Sequence, residues 1–353
     1  MGTLTNQEYI RRLEKIEAVL DTYLHEKPGE AWMTIHFPDS QHDIPSSASG
    51  LLTAPAYDIL KRGGKRWRPM LMLLICEALG GEDKSLPLTP LVEFSHNASL
   101  IHDDVEDNSD ERRGEPAIHI KYGVDTAINT GSFLYFLSLS CMAQWQAAAE
   151  KKYQVFALWG EAMRKLHLGQ AMDISWHRDF SSLPSIEDYN LMCRLKTGTL
   201  ASLAATLGVI AVGLKDEIKE KALIKAFSSS AEKLGKGFQI LDDVKNLTTG
   251  NPGKKRGDDI VEGKKSLPVL FYLHEREDKR EFVSHCFNSA REKGTSASEV
   301  EELIHELTKS GALKKAEEAG NACINEAKDV FSEYVDGKLL SELLDTHIIE
   351  RKL

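Results

Sequence analysis

The chain is poor in cysteine, proline and aromatic residues and carries no surplus of positive charge. Its five cysteines, Cys76, Cys141, Cys193, Cys286 and Cys323, form no C-x-x-C pair, and their number is odd. That pattern excludes a zinc knuckle or a disulfide framework and points to a reducing, cytoplasmic compartment. Lys plus Arg total 44 against 54 Asp plus Glu, a net charge of -10, which lacks the basic footprint of a nucleic-acid binder. Phosphate ligands are not excluded, because a site can be locally basic or can recruit cations. No run of about 18 apolar residues is seen, so no transmembrane helix is expected. The start, MGTLTNQEYIRRLEKIEAVL, is charged and lacks the apolar stretch of a secretory leader. It matches a myristoylation signal only in part, since Asn6 stands where Ser or Thr is needed. Candidate strands are few, and no G-x-G-x-x-G follows one, which disfavours a Rossmann domain or a P-loop.

Helical periodicity is what the sequence has in abundance. Ile10, Leu13, Ile16, Leu20 and Leu24 recur at spacings of three and four and predict a helix over 5–26. Residues 28–50 hold three prolines with several Ser and Gly, and read as a loop. Further helices are expected at 51–62, 68–80, 88–107, 123–149, 153–175, 185–213, 215–248, 264–275, 278–293, 298–310, 311–335 and 338–349. With no repeat and no low-complexity linker, the expectation is one all-α domain spanning 1–353, with 1–50 an N-terminal helix and loop and the helices from about 276 peripheral.

Two acidic patterns carry the chemistry. In LVEFSHNASLIHDDVEDNSDERRGEPAIH, Asp103 and Asp107 are four apart and share a helix face, with His96 and Ser99 on the same stripe. Two carboxylates so placed suit Mg²⁺, which takes one or two of them and fills its other positions from water and phosphates. Asp104 and Glu106 deepen the negative field, and Arg112 with Arg113 follow as candidate phosphate clamps. In KLGKGFQILDDVKNLTTGNPGKKRGDDIVEGKKSLP, Gln239, Asp242, Asp243 and Asn246 share a face. A loop with Lys254, Lys255, Arg256, Asp258, Asp259, Lys264 and Lys265 follows. Such a loop can close over a cation-loaded diphosphate. Alone, either pattern also describes an amphipathic helix with a solvated charged end. Having both favours two acidic faces that meet across one cavity, where metal ions and basic groups stabilise a departing pyrophosphate.

With these motifs the chain resembles the trans-isoprenyl diphosphate synthases. The likeness spans about residues 55 to 275 and includes GGKRWRP, DDVED with RRG, GQAMD, KTG, FQILDD and GDDIVEGKKSLP, in order. Within the family it is nearest the geranylgeranyl diphosphate synthases. The resemblance implies a helical bundle around a central cavity and a magnesium-dependent reaction. Isopentenyl diphosphate would add to an allylic diphosphate by ionisation, condensation and proton loss. Three Mg²⁺ ions would be held by Asp103, Asp107 and Asp242, with Mn²⁺ as an alternative and with Asp243, Asp259, Gln170 and Asp173 in support. Arg112, Lys196, Lys255 and Lys264 would hold the allylic diphosphate. Lys65, Arg68, His96 and Arg113 would hold isopentenyl diphosphate without metal. Lys196, Thr197 and Gln239 would face the developing cation. A homodimer is the family expectation. Asn246 departs from the usual last Asp of the second motif, which puts its role as a ligand in doubt but not the activity.

The product-length expectation follows from helix rise. Ser99 and Ala98, four and five residues before Asp103, lie roughly 6–8 Å below the metals. Both are small, so the pocket should run past the C15 stop, with Phe94, Phe133 and Phe136 as its floor and a C20 product. C15 and longer chains are the alternatives. A terpene cyclase should lack the second Asp-rich helix and the Lys65, Arg68 and Arg113 set. A head-to-head synthase should space its acidic pairs differently. A non-catalytic partner subunit should have lost one acidic motif, and this chain keeps both.

Overall fold

The computed structural model describes residues 2–39, 43–178, 180, 183–250 and 255–334. The expected helix at 338–349 and Lys254 lie outside the described residues. In chain order the helices are α1 (Gly2–Tyr23), α2 (Glu30–His36), α3 (Ser46–Lys61), α4 (Trp67–Ala78), α5 (Thr89–Glu106), α6 (Ile118–Tyr122), α7 (Val124–Leu137), α8 (Cys141–Gln144) and α9 (Ala149–Arg178). They continue as α10 (Ile186–Cys193), α11 (Thr199–Val212), α12 (Glu217–Thr248), α13 (Asp258–Glu262), α14 (Leu267–Glu275), α15 (Arg280–Lys293), α16 (Ser298–Lys309) and α17 (Ala312–Ser332). The all-α expectation holds, with one addition. Strands β1 (Glu111–Arg112) and β2 (Glu115–Pro116) pair antiparallel. Arg113 and Gly114 between them both have positive φ, 57° and 78°, as a two-residue hairpin turn requires.

The chain forms two compact units. One comprises 1–159, 203–228 and 331–353, the other 160–202 and 229–330. In the first, α5 packs chiefly on α7, with α1, α3 and α4 also against it. The two helices approach closely because Gly131 has no side chain: a Cβ there would come within 2.9 Å of the His102 ring. That ring stacks on Tyr135, centroids 5.8 Å apart. Leu91, Val92, Phe94 and Ile101 of α5 and Leu71 of α4 are fully buried. In the second unit Tyr189, Ile240, Leu247, Leu270, Phe287, Leu303 and Ala316 form one apolar core.

Several elements differ from the sequence expectation, each for a local reason. The segment expected to be a loop holds α2 and the start of α3, because Trp32 and Met33 are buried and the Trp32 indole donates to the Tyr23 carbonyl at 2.8 Å. The helix expected over 123–149 ends at Leu137. Beyond it, Ser138 donates to the Tyr135 carbonyl at 2.6 Å and Cys141 to the Ser138 carbonyl at 3.2 Å, side-chain bonds that compete with the helical ladder. The helix expected over 185–213 starts as predicted, on a capping box: Ser185 Oγ accepts from the Asp188 amide at 3.0 Å, and Asp188 accepts from the Ser185 amide at 3.1 Å. It then widens into a π-turn at Arg194–Gly198 before α11. This Ile186–Val212 stretch is, by length and composition alone, long and apolar enough to cross a membrane, at mean hydropathy 1.5. Its apolar window is 78% buried inside the protein, as suits a core helix.

Candidate active site

The first unit gathers cations. The loop from α3 to α4 runs through Gly64, at φ 143°, where an added Cβ would lie 3.2 Å from Arg113 Nη2 and from Arg66 Nη1. Arg66, itself left-handed at φ 46°, is 3% exposed. Its guanidinium donates to Glu17 at 2.7 Å, to Glu93 at 2.9 Å and to the Leu60 carbonyl at 2.6 Å. Burial alone would lower its pKa, but Glu93 and Glu17 outweigh that and raise it. Glu93 also accepts from Asn97 Nδ2 at 3.1 Å, and Asn97 Oδ1 accepts from Arg113 at 3.3 Å. Arg113 is tied further to the Ile59 carbonyl at 2.9 Å. The network fixes the Lys65–Arg68 loop, and Tyr9 helps by donating to the Lys65 carbonyl at 2.7 Å.

Arg68 and Arg113 are both pulled down to about 10, chiefly by burial, and each is lowered by the other arginines near it. Arg68 Nε is buried with no hydrogen-bond partner, and the guanidinium stacks over the Trp67 ring at 4.4 Å. Trp67 therefore carries Arg68 on its ring. His96 is held well below its ordinary value by burial and by Arg68, Arg113, Arg66 and Arg112. Arg68, His96 and Arg113 thus share one nest with more positive than negative charge, which suits an anion without metal.

The first acidic motif ends α5. Asp103 lies in the helix's last turn and Asp107 caps its C-terminus. Arg112, on β1, donates to Asp104 through Nε at 2.8 Å and to Asp103 at 3.3 Å. A further contact joins its Nη2 to Asp104. Burial would lower the Arg112 pKa, but Asp104, Asp103 and Asp107 outweigh it and hold it raised. Among the chain-length candidates, Phe94 and Ala98 are fully buried, and Ser99 donates to the His96 carbonyl at 2.8 Å. Phe133 is partly buried. Phe136 is 71% exposed. A floor within one chain would be enclosed, so Phe136 does not serve as one. One turn before Ser99, Ser95 accepts from the Trp159 indole at 3.0 Å, a closure the sequence reading missed.

The second unit holds the other motif. The Asp173 carboxylate on α9 accepts from Lys196 Nζ at 2.7 Å and from His177 Nε2 at 2.8 Å. The π-turn that carries Lys196 also carries Thr197, whose hydroxyl donates to Gln239 Oε1 at 2.7 Å. Gln239 donates in turn to Asp243 at 2.9 Å, and Tyr189 donates to the other Asp243 oxygen at 2.6 Å. Burial pushes Asp243 up to about 6. Asp242, next in sequence, is exposed, and Gln170 is partly buried one turn before Asp173. Asn246 is fully buried. Its Oδ1 accepts the Asp259 amide at 3.2 Å and its carbonyl accepts the Gly257 amide at 3.0 Å. It therefore staples the basic loop to α12. Lys264 in that loop pairs with Glu262 at 2.5 Å and Asp259 at 3.7 Å. Lys265 is buried over the Phe180 and Phe287 rings, at 4.8 and 5.0 Å. Lys255 is exposed, its amide donating to Asp258 at 2.6 Å. Arg66, Glu93, Asn97, Tyr189 and His177 were missed by sequence reasoning. Glu93 and Asn97, four apart and upstream of Asp103, were the one available signal.

Among the described residues, no three His, Cys, Asp or Glu side chains form a ready-made metal cage. Asp103 and Asp107 in the first unit, and Asp242 in the second, each offer hard oxygen donors. Such donors fit Mg²⁺, which takes one or two carboxylates and relies on water and phosphates for its remaining ligands.

The family model for polyprenyl synthetase matches residues 49–307. The chain is similar to the geranylfarnesyl diphosphate synthase of Aeropyrum pernix, 33% identical over 322 residues covering 88% of this chain and 97% of that one. It is 36% identical to the geranylgeranyl pyrophosphate synthase of Geoglobus acetivorans over 298 residues, 83% of this chain and 88% of that one. The crystal structure of geranylgeranyl pyrophosphate synthetase from Pyrococcus horikoshii matches with a TM-score of 0.76 at 29% identity, covering 97% and 100% of the two chains.

The pairing at Asp173 has a measurable consequence. Burial alone would raise its pKa, but Lys196, then His177 and Lys264, outweigh it and hold the group far below its ordinary 3.8. Its contribution to stability is then complete above about pH 4 and is lost as pH falls further. Asp173→Asn should cost about 3 kcal/mol at pH 7, read from urea unfolding midpoints. The gap to wild type should narrow below about pH 4. A gap that stays constant to pH 3 would contradict the pairing.

Proposed function

Because this chain belongs to the polyprenyl synthetase family and is a prenyltransferase, we propose that it condenses isopentenyl diphosphate with dimethylallyl, geranyl or farnesyl diphosphate to give a C20 product and pyrophosphate. The observation that carries this reading is a pair of opposite charge clusters, the cations around Arg68 and Arg113 and the aspartates of the two acidic motifs. The nest around Arg68, Arg113 and His96 suits a diphosphate that keeps its charge. The aspartates at 103, 107 and 242 suit one that arrives with cations. An enzyme acting on a single diphosphate has no use for the first.

Three Mg²⁺ ions, or Mn²⁺ in their place, would be held by Asp103, Asp107 and Asp242, and when bound would neutralise the leaving diphosphate. Arg112, Lys196, Lys255 and Lys264 hold its oxygens as the allylic C–O bond breaks and the electron pair leaves with pyrophosphate. Lys65, Arg68, Arg113 and neutral His96 hold the second diphosphate still. Its double bond supplies the electrons of the new C–C bond, and a proton passes from the resulting cation to the released pyrophosphate. The Thr197–Gln239–Asp243 chain fixes the Gln239 amide, and with the Lys196 and Thr197 carbonyls it directs dipoles toward the developing cation. No Ser-His-Asp set is required.

Purified protein with isopentenyl diphosphate, each primer and Mg²⁺ should release a product of C20 mass. Asp103→Ala and Asp242→Ala should each lower turnover by about a hundredfold or more. Full turnover in either variant would refute the reading.

The C20 length is supported by small Ala98 and Ser99 on α5, with Phe94 and the Trp159–Ser95 pair farther along that helix and partly buried Phe133 on α7. Likeness to a geranylfarnesyl diphosphate synthase favours C25 as the second reading. Ser99→Phe should shift the product spectrum toward C15 by mass, and unchanged products would move the floor elsewhere.

A cytoplasmic setting is supported by five free cysteines. A homodimer is supported by exposed Ile120, Val124, Ile128 and Phe136 on α6 and α7. Phe136→Lys should shift the sedimenting mass from dimer toward monomer, whereas a wild-type monomer would exclude the assembly.

A further inference from the structure

The reaction proposed above needs the Lys196 ammonium at a phosphate, yet in the structure it is bonded to Asp173. Gly169, Asp173 and His177 are four apart on α9 and share one stripe. At Gly169 an added Cβ would come within 2.4 Å of the Lys196 amide nitrogen, so α9 and the π-turn run backbone to backbone. One turn on, Asp173 stands between two donors, with Lys196 Nζ on Oδ2 and His177 Nε2 on Oδ1. The Asp173 and His177 side chains are 8% and 11% exposed. The His177 backbone is fixed as well, because its carbonyl accepts from Arg291 Nη2 at 3.0 Å.

A buried carboxylate is costly when it loses its donors. A bound diphosphate competes with Asp173 for Lys196. If Lys196 were the single donor, each movement toward a phosphate oxygen would strip the carboxylate. Lys264 adds positive charge nearby, but its ion pairs go to Glu262 and Asp259. We infer that His177 is a positioning residue for the allylic diphosphate. By holding Asp173 from the opposite side, it lets Lys196 turn to a phosphate oxygen while the carboxylate keeps a partner. One N–H is all that this requires, so a neutral imidazole protonated on Nε2 suffices.

The inference rests on the proposed reaction, and the test separates the two. Binding of an allylic thiolodiphosphate, which does not ionise, is measured by calorimetry with Mg²⁺, beside the KM for isopentenyl diphosphate in turnover. His177→Phe keeps a ring but removes the N–H. It should weaken thiolodiphosphate binding about tenfold and leave the isopentenyl diphosphate KM unchanged. His177→Gln, which restores an N–H, should stay within about threefold of wild type. In a Lys196→Met background, His177→Phe should add no further loss. Should His177→Phe not fold, His177→Met takes its place. Unchanged affinity, equal weakening toward both substrates, or a loss that adds fully to that of Lys196→Met overturns the inference. A wild-type protein that neither binds the thiolodiphosphate nor turns over removes the proposed reaction, and the inference with it.

Discussion

Arg66, Arg112 and Lys196 are each held by a buried carboxylate, Glu93, Asp104 and Asp173 in turn, and the rest of the site depends on that reciprocity. Removing one member of such a pair leaves an uncompensated charge, at a cost of about 3–5 kcal/mol. Each pair therefore fixes its neighbours as firmly as a packed side chain would. The balance differs between the two units. Around Glu93, the guanidiniums of Arg66, Arg68 and Arg113 outnumber the acids, and the last two are lowered to about 10. Around Asp243 burial wins and the carboxyl is raised to about 6. A surplus of positive charge calls for an anion. A crowded set of carboxylates calls for a cation. A substrate diphosphate and its counter-ions are each other's complement in the same sense.

Irregular backbone delivers these groups. Arg66 and Arg113 both sit at positive φ, a conformation costly for a non-glycine residue and sustained here by hydrogen bonds from their own guanidiniums. The π-turn at Arg194–Gly198 brings Lys196 to Asp173 and Thr197 to Gln239 on either side of one helical segment. Regular helices supply the stripe spacing that aligns Asp103 with Asp107, and Gly169 with Asp173 and His177. The breaks between them aim the cations. Packing holds the helices, whereas the breaks are held by charge, so the two respond differently to pH and salt.

How far the sequence discloses this follows from the same division. Helices with strong three-and-four spacing, such as α1 and α12, are readable because burial imposes the period. The aspartate pairs and the RRG and KTG cations are readable because their chemistry needs particular residue types. What escapes is what depends on distant partners. Arg66 looks like one more basic residue in GGKRWRP until Glu17 and Glu93 are seen to enclose it. His177 looks like a helix-end histidine until Asp173 is found four residues back with Lys196 on its far side. Phe136 continues an apolar helix by pattern, and periodicity cannot tell a pocket from an outer face. The break after Leu137 was hidden because Ser138 and Cys141 carry the competing bonds on their own side chains.

Asn246 shows why a departure from the expected motif can fit the local electrostatics. The position is fully buried, within the helix that carries Asp243 and against the amide of Asp259. A carboxylate here would place another negative charge in a region where burial has already raised Asp243. Asparagine keeps the oxygen that accepts the Asp259 amide and drops the charge. The local need is an acceptor that ties the basic loop to α12, and an amide meets it at lower desolvation cost. In the proposed reaction the metal-binding role expected of this motif would fall to Asp242, the exposed member of the face. The motif's work would then be divided: the outer aspartate is left for a ligand, and the inner amide holds in place the loop that carries Lys264.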